Sequence, residues 1–150
     1  MKTALTTSAE LLVGHPDGKS AGKGAVSSIL NQREPDRSQE YGRGLPEFPA
    51  GWFAVGFSHE LARGQMLSRQ CMGQQVVLFR TQSGVACAVD AYCPHLGAHF
   101  GHGGTVLGEV IRCPFHGFCF DQRGVCVATG YGAKPPPAGV FVPQGAIVER

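Results

Sequence analysis

Two short motifs, each with one cysteine and one histidine, constrain this chain more than any other feature. The first is C-P-H at residues 93–95 and the second is C-P-F-H at residues 113–116, with seventeen residues between them. Thiolate and imidazole are the ligands that zinc and iron-sulfur centres use in proteins. The sequence therefore predicts a metal-sulfur site built from two loops.

The order of the ligands separates the candidate metals. Zinc fingers usually take two cysteines from one loop and two histidines from the other. Here each loop is mixed, and a mixed loop suits a two-iron site because it can reach both metals. A Cys2His2 zinc site is the alternative that the residues leave open.

The pattern resembles the Rieske 2Fe-2S signature, C-x-H followed by C-x-x-H. The likeness covers about residues 48–150 and includes G-W at 51–52, H-L-G-A-H-F at 95–100, H-G-F-C-F-D at 116–121 and the prolines at 135–137. It is similar to the N-terminal Rieske domain of Rieske non-haem iron oxygenases. The resemblance implies a cluster with Cys93 and Cys113 on one iron and His95 and His116 on the other.

The Rieske proteins of cytochrome bc complexes match less well. In those proteins each cluster loop carries an additional cysteine, and the two cysteines form a disulfide. The corresponding positions here are Ala98 and Phe115, so that bridge cannot form. A Ser and a Tyr that donate hydroxyl hydrogen bonds to the cluster in the bc type correspond to Phe118 and Phe120. The resemblance therefore implies a reduction potential near the low end of the Rieske range.

Composition narrows the function classes. The formal charge of the 150 residues is only +2, and no run of Lys or Arg points to nucleic acid or an anionic membrane. No N-terminal apolar run suits a signal peptide, and no stretch approaches the roughly eighteen apolar residues of a membrane span. We expect a cytoplasmic chain whose six cysteines are reduced and free of disulfides.

The chain divides into two regions at about residue 48. Residues 1–47 mix small, polar and charged side chains without sustained periodicity, which predicts a disordered leader. A short helix over residues 5–13 is the alternative for part of it. Residues 48–150 contain short β-like segments separated by turn residues, and 150 residues suffice for one core.

The second region predicts an all-β fold, a small antiparallel sandwich or barrel of the Rieske type with two cluster-binding loops. Turns at T-Q-S-G and D-Q-R-G place Gly84 and Gly124 at positive φ. A stiff proline segment at 134–137 is expected to shield the cluster, as in Rieske domains, or to act as a plain connector. The strands are expected at 52–57, 74–80, 85–92, 110–113, 118–121, 125–129, 140–142 and 146–148.

The remaining histidines and cysteines are assigned no role in the site. His95, His99 and His102 would share one face of a helix, but four glycines between 97 and 104 make a helix there improbable. His99 and His102 are therefore expected to be exposed loop residues, and His15 a solvated one. The other four thiols lack ligand spacing and are expected to be small core or surface residues: Cys71, Cys87, Cys119 and Cys126.

These observations predict a one-electron transfer module and not a complete oxygenase. Oxygenation needs a mononuclear iron bound by two His and one carboxylate, and the histidines left over provide no such set. The chain is expected to be the N-terminal part or a truncated relative of an oxygenase, which lacks the catalytic domain. Expected partners are a flavin or NAD(P)H-dependent reductase and an oxygenase catalytic domain. The alternative is a stand-alone Rieske ferredoxin that carries electrons between the two.

Overall fold

The architecture comes from a computed structural model of the chain, which describes residues 9–14, 51–132, 136 and 138–150. Within these residues the chain forms ten strands in two antiparallel sheets, with one short 3-10 helix at Ser58–Glu60. The all-β prediction is confirmed.

The larger sheet has six strands and curls into a nearly closed barrel. Its spatial order is β2-β1-β10-β5-β4-β3. Its two outer strands approach each other, and Nε of Arg69 donates to the carbonyl of Val55 at 3.0 Å across the gap. The strands are β1 (Glu10–Gly14), β2 (Trp52–Phe57), β3 (Met66–Cys71), β4 (Gln74–Arg80), β5 (Ala86–Asp90) and β10 (Gln144–Glu149).

The smaller sheet has four strands in sequential order and carries the second motif. It consists of β6 (Thr105–Leu107), β7 (Val110–Arg112), β8 (Cys119–Phe120) and β9 (Cys126–Ala128). Each strand pairs only with its neighbour in the chain, because the connections are tight turns or the loop of the second motif. The strands predicted at 118–121 and 125–129 are present in shortened form. Residues 140–142 make only an isolated bridge between Phe141 and Val125.

Strand β4 explains how two cores form from one sheet. Side chains alternate along a strand, so Val77 and Phe79 point to one face and Leu78 to the other. The first face packs between the two sheets with Phe100, Phe120 and other buried residues. The second face packs inside the barrel, against residues that include Leu61 and Leu11. The unbroken apolar run of β4 follows from burial on both faces.

The prediction of a disordered leader over residues 1–47 is wrong for β1. Glu10–Gly14 pairs with β2 on one side and β10 on the other, and Leu11 and Val13 are buried in the barrel. The helix alternative also fails at these residues. A five-residue segment does not specify a strand by its own sequence. Here pairing with two strands and burial of two apolar side chains stabilise it as one. Leader residues 1–8 and 15–47 and the boundary at 48 lie outside the described residues, so they stay predictions, as does His15.

Candidate metal centre

The two motifs form loops with the same backbone hydrogen-bond pattern. In the first, the amide of Cys93 donates to the carbonyl of Ala98 at 2.9 Å, and the amide of Gly97 donates to the carbonyl of Cys93 at 2.9 Å. In the second, Cys113 donates to Phe118 at 2.8 Å and Gly117 donates to Cys113 at 3.2 Å. Each cysteine is therefore bonded to residues four and five positions after it.

The glycine in each loop makes this turn possible. Gly97 has φ +71° and Gly117 has φ +66°, in the left-handed region that costs other L-residues about 1–2 kcal/mol. The two loops lie at the ends of β5 and β7, which pack against the core between the sheets. This places the two motifs side by side, as the sequence predicts.

The two motif cysteines meet in the core beneath the loops. Their residues are only 2% and 3% exposed, and Cys93 and Cys113 belong to the same buried cluster. Burial and, to a smaller extent, the neighbouring Cys113 thiol together raise the pKa of Cys93 to about 12, against the opposing effect of the His95 and Leu96 amides. Two thiolates cannot persist in this space without a cation, whereas metal ions bind them as a deprotonated pair. The chemistry of this pair fits one iron of a cluster.

The two motif histidines lie together at the outer side of the loops. The ring centroids of His95 and His116 are 4.9 Å apart with their planes at 76°. Both residues are half-buried. Nδ1 of His116 is buried and has no hydrogen-bond partner in the described part of the chain. Since buried polar atoms are nearly always satisfied, an unpartnered ring nitrogen at this position fits a metal ligand.

Aromatic rings surround the histidine pair. Phe118 is buried and stacks on His95, with centroids 4.4 Å apart and planes at 17°. Phe115 packs against His116 at 3.9 Å, and Tyr131 lies 6.0 Å from His116 and 6.4 Å from His95. Phe115 and Tyr131 also present 63% and 55% of their surface to solvent. The outer edge of the site is therefore aromatic and open.

Sequence reasoning missed Tyr131. The amide of the preceding residue, Gly130, donates to the carbonyl of His116 at 3.0 Å, and this bond brings the ring to the histidines. No spacing rule links these positions. Of the predicted proline segment, residues 134, 135 and 137 lie outside the described residues, so its shielding role stays a prediction.

The other histidines and cysteines lie as expected, with one difference. Residues 95–104 form turns and no helix. His102 is exposed, but His99 is half-buried, because it stacks on His102 at 4.2 Å and its Nδ1 accepts from the amide of Gly101 at 3.0 Å. The four thiols outside the motifs are all buried: Cys71, Cys87, Cys119 and Cys126.

Among the described residues, no three His, Cys, Asp or Glu side chains are grouped as ligands of one metal ion. A Rieske cluster takes only two protein ligands on each iron, because sulfides complete the coordination. A thiol pair and an imidazole pair are compatible with that requirement.

Residues 51–138 match the family model for the Rieske [2Fe-2S] domain. The chain belongs to this family. Its fold, its two loops and its cofactor class follow from that membership, and a Rieske domain transfers single electrons through its cluster.

The relatives of this Rieske domain are oxygenase-type proteins of greater length. It is 45% identical over 104 residues to cholesterol 7-desaturase of Bombyx mori, an alignment that covers 69% of this chain and 23% of that protein. It is 35% identical over 134 residues to cholesterol 7-desaturase of Caenorhabditis elegans, covering 86% and 31%. The chain thus spans less than a third of the length of these relatives. It is homologous to the N-terminal domain of Rieske oxygenases.

A solved structure gives the same result for the fold. The crystal structure of dicamba monooxygenase bound to dicamba superposes with a TM-score of 0.57 at 30% identity, over 63% of this chain and 29% of that one. Oxygenases of this kind combine a Rieske domain with a catalytic domain and depend on redox partners. No helix in the described residues is long and apolar enough to cross a membrane.

Proposed function

We propose that Cys93 and Cys113 bind one iron of the Rieske cluster and that His95 and His116 bind the other. The observation that carries this assignment is the unpartnered, buried Nδ1 of His116 beside the ring of His95. The burial of both thiols in one core cluster supports the other half of it. The two matching loops each contribute one residue to each pair, so they hold the two irons in a fixed relation.

When bound, a Rieske cluster accepts and returns one electron, at a higher potential than all-cysteine clusters because two neutral imidazoles replace two charged thiolates. The protein surrounds the two ends of the site differently. The cysteine end is sealed in the core, whereas the histidine end is half-buried under exposed Phe115 and Tyr131. Electrons are therefore expected to enter and leave at the histidine end.

We propose that the donor is a flavin or NAD(P)H-dependent reductase and that the acceptor is an oxygenase catalytic domain with a mononuclear iron. The oxygenase relatives support this assignment, since their names describe reactions that need an electron supply. A stand-alone ferredoxin is the second candidate. A cytoplasmic, reducing compartment belongs to the proposal, because Cys93 and Cys113 must stay reduced to bind iron.

We further propose that the electrons serve oxidation of a sterol. Several relatives that are 35–45% identical are named cholesterol 7-desaturase. The test is to mix the reduced domain with the separately purified catalytic domain of such a desaturase, and to follow reoxidation with oxygen and cholesterol. Reoxidation that requires cholesterol and yields an oxidised sterol supports the proposal. Reoxidation at the same rate with and without cholesterol contradicts it.

The ligand assignment is tested by metal analysis of single variants. The purified chain, made with iron-sulfur assembly, should be coloured and contain about two irons and two labile sulfides. Alanine in place of any of the four proposed ligands should abolish colour and sulfide. Matched controls change the same residue types outside the motifs: Cys126→Ala and His102→Ala should keep both. Stoichiometric zinc without sulfide would contradict the assignment and support the zinc alternative.

A further inference from the structure

Arg112 places a positive charge beside the second cluster loop. It is the last residue of β7 and immediately precedes Cys113. The position that a Cβ would occupy at Gly117 lies 3.2 Å from Nη2 and 3.3 Å from Nε of Arg112. The guanidinium therefore lies against Gly117, the residue that follows His116, and remains exposed to solvent.

Three other arginines of the described residues are paired with a carboxylate, whereas Arg112 is not. Arg69, Arg80 and Arg123 each form an ion pair with a carboxylate. The guanidinium of Arg112 forms no ion pair and donates no hydrogen bond within the described residues, where the arginine side chains that do so are Arg63, Arg69, Arg80 and Arg123. Its charge is therefore not neutralised by a neighbour in that part of the chain.

Carboxylates of the smaller sheet lie away from this charge. Glu109 is in the turn before β7, at the end of that strand opposite Arg112, and Asp121 follows β8 at the same far end. Glu109 accepts a hydrogen bond there from Ser83, and Asp121 forms an ion pair with Arg123. At the cluster end Asp90 is the last residue of β5, ahead of the first loop, and its carboxylate accepts from the amide of Tyr92 at 2.8 Å. The unpaired positive charge of Arg112 therefore lies beside the second cluster loop and not beside the first.

The surface next to Arg112 suits a brief electron-transfer contact. Phe115 and Tyr131 are both exposed beside the histidine rings. Phe115 is in the second cluster loop, and Tyr131 follows Gly130, whose amide donates a hydrogen bond to that loop. Complexes between redox proteins are small, and charges at their edges mainly accelerate and orient the encounter. A cation at the edge of a small aromatic surface would guide a partner that presents carboxylates.

We propose that Arg112 anchors an electron-transfer partner whose docking face carries carboxylates around its own redox centre, and that it directs this partner to the second loop beside His116. The proposal rests on the proposed function, because it requires the cluster at this site. It adds the partner's charge and the side of approach. An exposed arginine far from the cluster loops would have no comparable effect on electron exchange.

The test measures electron exchange between the cluster-loaded chain and small reagents of opposite charge. The reduced chain gives one electron to hexacyanoferrate(III), a trianion that becomes the iron(II) complex, or to hexaammineruthenium(III), a trication that becomes the ruthenium(II) complex. At low ionic strength Arg112→Gln should slow oxidation by the trianion about three- to tenfold and accelerate oxidation by the trication to a similar degree. Both effects should largely vanish in molar salt.

Two variants serve as controls. Arg112→Lys keeps the charge and should restore rates near those of the wild type. Arg63→Gln removes the same charge at a distant site, because the Arg63 guanidinium lies against Gly84 in the β4–β5 turn, far from the cluster loops. This variant should change neither rate by more than about twofold. Reduction of the oxidised chain by a reduced, acidic plant-type ferredoxin should show the same order of rates as the trianion.

Each result can be assigned to one proposal. Metal and sulfide analysis of every variant shows whether the cluster is present, and its loss from the wild type would contradict the proposed function. With the cluster intact and the midpoint potential unchanged, equal rates for wild type and Arg112→Gln would overturn the docking role. A slowdown with both reagents, regardless of their charge, would also overturn it.

Discussion

The imidazole of His95 stacks on the ring of Phe118, with centroids 4.4 Å apart and planes 17° from parallel. Phe118 is therefore a buried contact of a proposed ligand. Phe120, two residues on, is also buried and meets Phe100 edge to face. Neither side chain can donate a hydrogen bond toward the cluster, at the positions where the bc type has Ser and Tyr.

The first prediction concerns the reduction potential. Hydrogen bonds to cluster sulfur withdraw electron density and stabilise the reduced form, so we expect a wild-type midpoint near the low end of the Rieske range, roughly −150 mV. Phe118→Ser with Phe120→Tyr should raise it by on the order of 90 mV, because each of the two added hydrogen bonds contributes about 1 kcal/mol, which is roughly 40 mV for one electron.

Protein-film voltammetry on variants that retain their cluster checks this prediction. Phe118→Leu with Phe120→Leu is the control, because it removes the rings without adding hydroxyls. A wild-type midpoint well above zero would contradict it, as would an equal shift in the serine-tyrosine and leucine variants.

The second prediction concerns Gly130, whose amide bonds to the carbonyl of His116. A Cβ at Gly130 would meet that carbonyl oxygen closer than any real Cβ contact. Gly130→Ala should therefore displace the second loop and lower the cluster content of the purified chain. Gly132→Ala is the matched control: its φ is +82°, but the space for a Cβ is open, so it should cost only about 1 kcal/mol of unfolding free energy and keep the cluster. Equal iron content in the two variants would contradict this explanation.

The third prediction concerns an ion pair that joins the last strand to β4. Nη2 of Arg80 lies 2.6 Å from Oε1 of Glu149, and the same guanidinium donates to the carbonyl of Leu61. The hydrogen bond from Arg80 holds the pKa of Glu149 below its ordinary value, and a bond from Ser58 adds to this.

Because the folded pKa is depressed, the stability that Glu149 contributes is present above its unfolded pKa of about 4.3 and disappears as the pH falls through the folded value. Glu149→Gln should lower the free energy of unfolding by about 1 kcal/mol at pH 7, and the difference should shrink below about pH 4. Urea unfolding of both proteins across pH checks this. A difference that is constant from pH 7 to pH 3 would show that the carboxylate charge is not responsible.

The fourth prediction is that the loaded chain alone does not oxidise sterols. With reductant, oxygen and cholesterol it should undergo reduction and reoxidation without forming an oxidised sterol, because no three His, Cys, Asp or Glu side chains of the described residues are grouped where they could hold a mononuclear iron. Product analysis by mass spectrometry checks this. Any catalytic yield of oxidised sterol would contradict it.

The sequence pattern was sufficient to predict those turns and strands whose conformation depends on residues nearby in the chain. The turns at Gly84 and Gly124 take positive φ as predicted, and β2 and β4 have the predicted bounds. The two motifs come together because each is a short loop at the end of a core strand.

Features that depend on distant partners could not be predicted. β1 is a strand because it lies between β2 and β10, and β10 is more than 130 residues further along the chain. Tyr131 reaches the histidines through the backbone bond of Gly130 and not through a motif. The unpaired charge of Arg112 is visible only once its neighbours are known. In each case the deciding contact is tertiary, so sequence periodicity carries no signal for it.

The most direct test of the proposed ligands is pulsed electron-nuclear spectroscopy of the reduced chain, made with histidine labelled with nitrogen-15. Couplings to two coordinated histidine nitrogens are expected, and they should persist in the variant His99→Ala with His102→Ala, which removes the neighbouring histidines. Single alanine variants of His95 or His116 should lose the cluster signal. One coupled nitrogen, none, or a loss of coupling in the His99 and His102 variant would contradict the assignment of His95 and His116 to the second iron.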